Sequence, residues 1–394
     1  MNQRILISGA SVAGLTLAYW LARLGFAPTV VERAPDLRTG GNGVDIRGRS
    51  VAVVERMGLG AEIRAAAADV RGMRFVDADD RTIARLDTRD PDGVEILRGD
   101  LVRLLRDAIG SDVEFRFGDS IRALDQDDGG ATVAFDHGGT DRFDLVIGAD
   151  GIHSNVRRLA FGPVARFTVH RGHYFAFADA DASLGEDRWM TIHNRPGRMA
   201  GIWRSGTHAQ AKAYFLFRSP ELAYDRRDAR LPARFLTDAF ADDTSWHVGD
   251  LLDTALADPG LMFDALSQVR MARWSTGRVA LVGDAAWCAS PASGAGAELA
   301  LVGAYRLAIE LAAAPGEHRL AFARAHDGHR GLVRARQRIG VNVRLMAPST
   351  GLGRWIRNTV IRSPLVRAGG PSGRRTADDG TRLGGYEAAL DQDS

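Results

Sequence analysis

The sequence has very little cysteine and no long apolar run. Its single cysteine, Cys288, excludes an internal disulfide and favours a reducing compartment. No apolar stretch reaches the roughly 18 residues that a membrane-spanning helix needs. The first residues, MNQRILISGASVAG, are typical of a strand and a turn rather than of a secretory signal. These features predict a soluble cytoplasmic protein that does not bind membranes.

Lysine is scarce as well, and no excess of charge of one sign is present. Lys212 is the only lysine, and 51 basic residues face 49 acidic ones, which leaves a net charge of +2. This balance gives no electrostatic reason to expect a nucleic-acid partner. The 394 residues are 45% apolar and 25% charged, as in an ordinary globular protein, and the length predicts two lobes.

The first lobe is indicated by buried strands that run into glycine turns and helices. RILIS (4–8) and PTVVE (28–32) read as parallel strands on either side of a helix that ends at Gly25. DLVIGADGIHSNVRRLAF (144–161) repeats the order of strand, turn and helix, and GRVALVGD (277–284) does so again. This alternation predicts an α/β fold built from βαβ units.

A second lobe is indicated by a change of pattern between 166 and 267. Aromatic and polar residues alternate in GHYFAFADA, RWMTIHN, MAGIWRS and KAYFLFRS. A period of two predicts an antiparallel sheet with one covered face. A long arginine-rich helix is predicted over 319–345, followed by a short amphipathic segment over 353–366.

The first glycine turn has the spacing of a dinucleotide-binding unit. Gly9, Ser11 and Gly14 form a G-x-S-x-x-G turn after a strand and at the start of a helix. The glycines allow close backbone approach, and the helix N-terminus offers N–H groups to a pyrophosphate. Glu32 ends the second strand, where a carboxylate can accept ribose hydroxyls. The unit predicts a bound adenine dinucleotide, although Ser11 replaces the usual middle glycine.

Two further strand ends repeat this chemistry with an acidic residue in each turn. Asp150 lies in GADG, and Asp284 lies in LVGDAAW at the start of the following helix. An acid at a helix N-terminus stabilises the helix by about 0.3–1 kcal/mol, so either aspartate alone could be structural. Three such turns in one chain disfavour a plain NAD-dependent dehydrogenase, which needs only the first unit.

Together the three turns resemble the flavin motifs of the FAD-dependent aromatic hydroxylases, the group A flavoprotein monooxygenases. The resemblance extends to about residue 345. GGNGVDIRG (40–48), VEILRGDLVRLL (94–105) and FLFRS (215–219) are most similar to the tetracycline destructase branch. The resemblance implies a Rossmann-like FAD-binding domain, an inserted antiparallel-sheet substrate domain and a C-terminal bridging helix.

Domain boundaries follow from the resemblance and the changes of pattern. We expect a discontinuous FAD-binding domain, a substrate-binding domain, a C-terminal helical segment and a disordered tail. Their ranges are, in that order, 1–70 with 98–165 and 268–318, then 71–97 with 166–267, then 319–366, and finally 367–394.

The resemblance assigns cofactor contacts residue by residue. Asp284 is expected to accept the ribityl hydroxyls, and Glu32 the hydroxyls of the adenosine ribose. Arg98 is expected to contact FAD, Arg33 to flank the adenine, and the loop 291–296 to bring backbone N–H groups to the flavin pyrimidine. The full set is Gly9, Ser11, Val12, Ala13, Gly14, Glu32, Arg33, Arg38, Asp45, Arg47, Arg98, Leu101, Asp150, Gly151, Gly283, Asp284, Pro291, Gly294, Ala295, Gly296 and Ala297.

The resemblance also implies the reaction and the kind of substrate. NADPH or NADH would reduce non-covalently bound FAD, and O2 would add to give a flavin C4a-hydroperoxide that oxygenates a small aromatic or polycyclic molecule. A tetracycline-like compound or an aromatic polyketide fits this description. Neither a metal nor a protein nucleophile is needed, and the protein is expected to be a monomer or a weak dimer. Residues assigned to the substrate pocket are Phe175, Phe177, Thr191, His193, Trp203, Phe215 and Trp287.

Two alternatives remain open from the sequence. Relatives often carry Gln between the two glycines of the third motif, where this chain has Ala295. The difference leaves room for a flavoenzyme that performs Baeyer–Villiger oxidation, dehydrogenation or a cyclisation with FAD as a scaffold. The other alternative is a protein that sequesters a polycyclic molecule without chemistry.

Overall fold

A mostly parallel six-stranded sheet forms the centre of the first lobe. The computed structural model describes residues 3–37, 40–90, 92–223, 228, 230–338 and 346–362. In spatial order the strands are β17 (Ser275–Thr276), β18 (Val279–Leu281), β11 (Leu145–Gly148), β1 (Arg4–Ser8), β2 (Ala27–Glu32) and β7 (Glu114–Phe117). Strands β17 and β18 are antiparallel, and all the other neighbouring pairs are parallel.

Helices cover this sheet because its strands are apolar on both faces. The central residues Ile5, Leu6 and Ile7 are all fully buried, as in other parallel sheets that are covered on both sides. No helix within these ranges combines the length and the apolar character needed to cross a membrane. The helices of this lobe are α1 (Val12–Arg23), α2 (Arg49–Arg56), α3 (Gly60–Ala65), α4 (Arg98–Ile109), α5 (Asn155–Phe161), α8 (Asp284–Trp287), α9 (Gly296–Ala313) and α10 (His318–Arg336).

Two small sheets complete the first lobe. One has three antiparallel strands, β8 (Ile121–Asp127), β9 (Gly130–Phe135) and β10 (Thr140–Phe143), which the sequence analysis did not predict. The other pairs β3 (Gly43–Ile46) with β6 (Val94–Leu97). The β3–β6 pair thus joins a strand of the first lobe to a strand in the 71–97 segment, which the sequence analysis assigns to the substrate-binding domain.

The second lobe contains the predicted sheet, with seven strands. Of its six pairs of neighbouring strands, five are antiparallel. Only the pair of β13 (Trp189–Arg195) with β4 (Gly72–Val76) is parallel. Helices α6 (Arg230–Phe240) and α7 (Val248–Ala257) cover one face. The strands are, in spatial order, β16 (Met262–Val269), β12 (Thr168–Ala180), β15 (Ala211–Arg218), β14 (Arg198–Trp203), β13 (Trp189–Arg195), β4 (Gly72–Val76) and β5 (Thr82–Asp87). The predicted α/β fold class with a second, largely antiparallel sheet is confirmed.

The strand register divides the aromatic residues of this sheet between two faces. Phe177 lies opposite Tyr214, and Ala176 lies opposite Phe215, so the two pairs point to opposite sides. Phe215 belongs to the core beneath α6 and α7. Phe175 and Tyr214 belong to a different cluster, which also contains Ala292 from the third glycine turn. The second face, which we call the aromatic face, therefore meets the first lobe.

The C-terminal part joins the two lobes, although its first helix is shorter than predicted. Helix α10 ends at Arg336, whereas we had predicted a helix over 319–345; residues 339–345 lie outside the described ranges. Beyond its end, the Gln337 side chain donates to the carbonyl of Val269 at 2.8 Å, and Gln268 donates to the Gln337 carbonyl at 2.8 Å. These bonds tie the end of α10 to strand β16.

The last described helix, α11 (Gly351–Arg362), packs on the seven-stranded sheet. Arg357 lies over the ring of Phe75, with 4.2 Å between its Cζ atom and the ring centroid, and donates to Asn194 Oδ1 at 2.6 Å. Burial, and then the charge of Arg354, lower the pKa of Arg357 to about 10. The helix covers part of the predicted 353–366 segment, and the tail predicted over 367–394 lies outside the described residues.

Candidate cofactor and substrate site

The three glycine turns meet at one edge of the six-stranded sheet. Strands β18, β11, β1 and β2 lie side by side and parallel, so their carboxyl ends face the same way. A Cβ atom on Gly9 would lie 2.6 Å from the carbonyl oxygen of Ala149. One on Gly283 would lie 2.7 Å from the Cβ of Ala13. The first turn therefore touches both of the others, and these glycines allow that approach.

The first turn places a helix N-terminus and a positively charged side chain together at the start of α1. Ser11 precedes the helix in an extended conformation, and its side chain does not cap the helix. Its Oγ instead accepts a hydrogen bond from Nη2 of Arg98 at 2.8 Å. The helix has no acidic residue in its first turn. A helix N-terminus beside an arginine fits a pyrophosphate group.

Glu32 holds the first turn in place. Its Oε2 accepts from the backbone N–H of Ala10 at 2.9 Å, and its Oε1 accepts from that of Ala34 at 3.0 Å. The side chain is half-buried, and each oxygen can accept a further hydrogen bond. Glu32 is thus placed both to order the backbone and to accept hydroxyl groups. Arg33 next to it is exposed, and Arg38 lies outside the described residues.

Some of the residues that we assigned to the cofactor have their side chains in the core. Val12 and Ala13 are buried in the first turn of α1, so only their backbone can face a ligand. Leu101 is fully buried on α4 within the main apolar cluster. For Leu101 the structure corrects the prediction, since its side chain packs against the sheet-and-helix core.

Asp150 uses its carboxylate to start helix α5. The Oδ1 atom accepts from Ser154 Oγ, and Oδ2 accepts from the backbone N–H groups of Asn155 and Val156 at 2.8 and 3.0 Å. This is the helix-stabilising role that the sequence had left open for this residue. Gly151, with a φ of +80°, turns the chain between the strand and the helix.

Asp284 has a different environment from that of Asp150. It is exposed to solvent, yet the surrounding protein raises the pKa of its carboxyl by desolvation. The charge of Arg98 and a hydrogen bond from the Cys288 thiol act in the opposite direction. A side chain that is accessible to solvent and yet surrounded by protein lies in a concave part of the surface, here called the cleft. Asp284 is therefore free to accept hydroxyl groups from a ligand in that cleft, close to Arg98.

Cys288 lies in an environment that keeps its thiol unreactive. It is buried, and its Sγ lies 3.7 Å from the carbonyl oxygen of Ser267. Burial, and then the charge of Asp284, raise the pKa of the thiol well above its usual value. Because the thiolate is the nucleophilic form, this environment disfavours covalent chemistry at Cys288.

The loop of the third motif contacts the segment around Asp45. Arg47 forms an ion pair with Asp45, and its Nη2 donates to the carbonyl of Gly294 at 3.3 Å. Gly294 has a left-handed conformation with a φ of +60°. Ala295 is buried and its N–H donates to Ser293 Oγ at 3.1 Å. Pro291, Gly296 and Ala297 complete the loop and open helix α9.

The aromatic face carries three of the predicted pocket residues. Phe175 and Phe177 stack with 6.2 Å between ring centroids, and Phe177 lies 6.0 Å from Tyr214. Trp203 belongs to the same apolar cluster as Phe175 and Tyr214. Tyr214 was missed because it stands beside Phe215 in KAYFLFRS, where period-two alternation alone does not say which aromatic faces the pocket.

Three other predicted pocket residues lie on the opposite face of the sheet. Thr191 and His193 lie opposite Ile202 and Ala200, which belong to the core beneath α6 and α7. His193 contacts Ser245 Oγ at 3.0 Å. Phe215 packs against Phe240, with 5.0 Å between ring centroids. The structure thus corrects their assignment, because the sheet register turns them away from the cofactor edge.

Trp287 is also displaced from the predicted pocket. Its ring lies 4.5 Å from that of Trp274 and 4.7 Å from that of His329, measured between centroids. A Cβ on Gly303 of α9 would come within 2.5 Å of the Trp287 ring. Trp287 therefore packs between α9 and α10, and it does not form the floor of a pocket at the aromatic face.

Comparison with known proteins shows similarity over both lobes. A family model described as an FAD binding domain matches residues 2–321. A flavin-dependent monooxygenase of Legionella longbeachae is 38% identical over 345 residues, which cover 86% of this chain and 88% of that protein. An uncharacterized protein of Mycobacterium tuberculosis is 43% identical over 340 residues, or 84% and 91% of the two chains. The crystal structure of tetracycline destructase Tet(51) superposes with a TM-score of 0.82 at 35% identity, covering 92% and 96%.

Proposed function

Because the chain belongs to the FAD-binding domain family that includes flavin-dependent monooxygenases, we propose that it inserts one oxygen atom of O2 into a small aromatic or polycyclic molecule. NADPH or NADH would supply the electrons. The observation that carries the proposal is the contact of the three glycine turns, with Arg98 and Asp284 at their junction. FAD, when bound there, supplies the exchange of electrons with the nicotinamide and the activation of O2.

The residues of this chain bind and orient the cofactor. The start of α1 and Arg98 would hold the pyrophosphate, and Asp284 would accept the ribityl hydroxyls. The backbone N–H groups of the loop 291–296 would lie against the flavin ring. Donors fixed at that point stabilise negative charge without having to reorganise.

The aromatic face would form the wall of the substrate pocket. Phe175 and Tyr214 are partly exposed and offer flat apolar surface to a fused-ring compound, while the buried rings of Phe177 and Trp203 support them from the same face. By excluding water, this wall would protect the oxygen-transfer chemistry that bound FAD supplies. It would also hold the substrate ring in position. The 35% identity to a tetracycline destructase over nearly the whole chain favours a polycyclic substrate.

The test is single-turnover chemistry with the purified protein. We expect a yellow protein that releases FAD on denaturation and is reduced by NADPH or NADH without oxygen. Addition of O2 with tetracycline or a panel of polycyclic phenols should then give a product heavier by one oxygen atom. A colourless protein, or a flavoprotein that reoxidises without oxygenating any member of the panel, contradicts the proposal.

A further inference from the structure

A cluster of polar groups lies where the β3–β6 pair meets the aromatic face. Asp45 on β3 and Glu95 on β6 are directly opposite each other in the antiparallel register. Like charges at such positions repel one another. Arg47 forms its ion pair with Asp45 rather than with Glu95. The strand register therefore places a second carboxyl group beside an aspartate that already has its cation.

The aromatic face supplies the other contacts of Glu95. Nε1 of Trp203 donates to Glu95 Oε1 at 3.1 Å. Tyr214 lies close enough for its phenol to interact with the Glu95 charge. A Cβ on Gly43 would lie 2.1 Å from Glu95 Oε1. Glycine at position 43 thus makes the space that the carboxyl group occupies.

Glu95 and Tyr214 are partly exposed although protein surrounds them. Burial, and then the charge of Asp45, raise the pKa of Glu95 to about 7, while the bond from Trp203 and the charge of Arg47 oppose this shift. Burial and the charge of Glu95 likewise raise the pKa of Tyr214. A carboxyl group that titrates near neutral pH is matched to the exchange of a proton with a ligand.

The cluster also lies next to the cofactor loop. Arg47, the cation of the cluster, donates to the carbonyl of Gly294 in the third motif. Ala292 of the same loop packs in the apolar cluster that contains Trp203 and Tyr214. Glu95 therefore lies between the aromatic wall and the loop that would hold the flavin.

We propose that Glu95 is the residue of the substrate site that recognises a ring hydroxyl and accepts its proton. The O–H bond of a phenol or enol breaks, the proton passes to a carboxylate oxygen of Glu95, and the bonding electrons stay on the substrate oxygen. No change of oxidation state is involved. The resulting anion makes the ring more electron-rich at the position that is to be oxygenated. This inference rests on the proposed function.

The same cluster defines the class of substrate. Asp45 and the ionised form of Glu95 repel an anionic group in a site where water is scarce. A neutral ring that carries a hydroxyl group can donate to Glu95, whereas a ring carboxylate cannot. The structure thus assigns the pocket to hydroxylated fused rings rather than to aromatic carboxylates.

Two probes with the same ring system test this assignment. We would measure the binding of 2-naphthol and of 2-naphthoate to the oxidised FAD-loaded protein from flavin absorbance at pH 6 and pH 8. Across this range the phenol stays mostly protonated and the carboxylate stays ionised. Affinity for 2-naphthol should rise, by up to roughly tenfold, as Glu95 ionises, and affinity for 2-naphthoate should fall.

Substitution of Glu95 should remove both trends. In Glu95→Gln the two affinities should no longer depend on pH, whereas the surface variant Glu62→Gln should behave like the wild type. Trp203→Phe, which removes a donor to the carboxylate, should move the midpoint of the 2-naphthol curve to higher pH. This second variant provides a test even when Glu95→Gln fails to fold.

The outcomes separate this inference from the proposed function. Unchanged pH trends in Glu95→Gln, or an unmoved midpoint in Trp203→Phe, overturn the role of Glu95. Failure of the FAD-loaded wild type to bind 2-naphthol at either pH also overturns it. When the wild type still oxygenates a polycyclic phenol in any of these cases, the monooxygenase function stands and only the assignment of Glu95 falls.

Discussion

At the scale of single residues, two aspartates in matching turns have separate roles. The Asp150 carboxylate accepts hydrogen bonds from backbone N–H groups and from a side-chain hydroxyl at the start of α5. Asp284 faces a cleft beside Arg98. Both lie in a glycine turn between a buried strand and a helix, so the local sequence allows either a structural or a ligand-binding role for each. The difference is decided by which donors lie within reach of each carboxylate.

Replacement of Asp284 tests its role in holding the cofactor. Asp284→Ala should weaken FAD binding by roughly tenfold or more, because a charged hydrogen-bond acceptor for the ribityl chain is lost. Asp36→Ala, at an exposed acid that bonds only to the neighbouring Leu37 N–H among the contacts described, is the matched control. Equal dissociation constants for FAD in the two variants, measured by fluorescence titration of the apoprotein, would count against the assignment.

The thiol beside Asp284 provides a second residue-scale test. Cys288→Ser should leave turnover within roughly tenfold of the wild type, a change in barrier below about 1.4 kcal/mol, because the buried thiol stays protonated. Steady-state oxidation of NADPH with a substrate from the panel measures this. Loss of turnover with FAD still bound would show that the thiol takes part in the chemistry.

At the scale of elements, the first glycine turn depends on close packing between backbone atoms. A Cβ on Gly14 would lie 1.9 Å from the carbonyl oxygen of Gly9. Gly249, in the first turn of α7, has no atom within 4 Å of the same position. Neither glycine has a positive φ. The two positions therefore differ in space rather than in backbone strain.

These two glycines make a matched pair of variants. Gly14→Ala should lower the free energy of unfolding by about 1–3 kcal/mol through overpacking and should weaken FAD binding. Gly249→Ala should raise the free energy of unfolding by up to about 1 kcal/mol, because alanine favours the helix. Urea denaturation of both variants with excess FAD measures the difference. Equal midpoints would show that the turn can adapt to a side chain.

At the scale of the whole molecule, α10 packs on α9 of the first lobe through a largely apolar contact, and Gln337 beyond its end bonds to strand β16 of the second lobe. His329 is buried in this contact, beside Trp274 and Trp287. Burial, and then the charges of Arg306 and Arg49, lower the pKa of His329 to about 3. The folded protein thus keeps this histidine neutral, whereas the unfolded chain takes up a proton below about pH 6.5.

This difference predicts a loss of stability in mild acid. The contribution of His329 is complete above about pH 6.5 and decreases as the pH falls towards 3, by about 2 kcal/mol at pH 5. His329→Gln should flatten this part of the curve of unfolding free energy against pH. His137→Gln, at an exposed position, should not. Parallel curves for the wild type and His329→Gln between pH 7 and pH 5 would contradict the burial of a neutral His329, because the other titrating groups, such as Glu95, are common to both proteins.

Much of the candidate cofactor site could be predicted from the sequence, because its signals are local. A buried strand, a glycine turn and a helix start within about ten residues are set by hydrophobic periodicity and backbone freedom. The turns at Gly9, Gly151 and Gly283 lie where this pattern placed them, and so does helix α1. The fold class follows from the order of these elements.

The sequence could not decide which aromatic side chains face the pocket. In a strand such as KAYFLFRS, Tyr214 and Phe215 are neighbours, and a shift of one residue in register exchanges their faces. The pairing of Phe177 with Tyr214, and the packing of α6 and α7 on the other side, fix the face of the sheet on which each side chain lies. Trp287 likewise joins α9 and α10 because of long-range packing that no local pattern encodes.

The sequence by itself determined the dinucleotide turns, the α/β order and the presence of an aromatic sheet, because these depend on residues close together in the chain. Only the tertiary structure brought Asp45 of β3, Glu95 of β6 and Tyr214 of β15 into one cluster. More than one hundred residues separate Glu95 from Trp203, which bonds to it. The pKa of a carboxyl group depends on such distant neighbours and on its burial, and neither can be read along the chain.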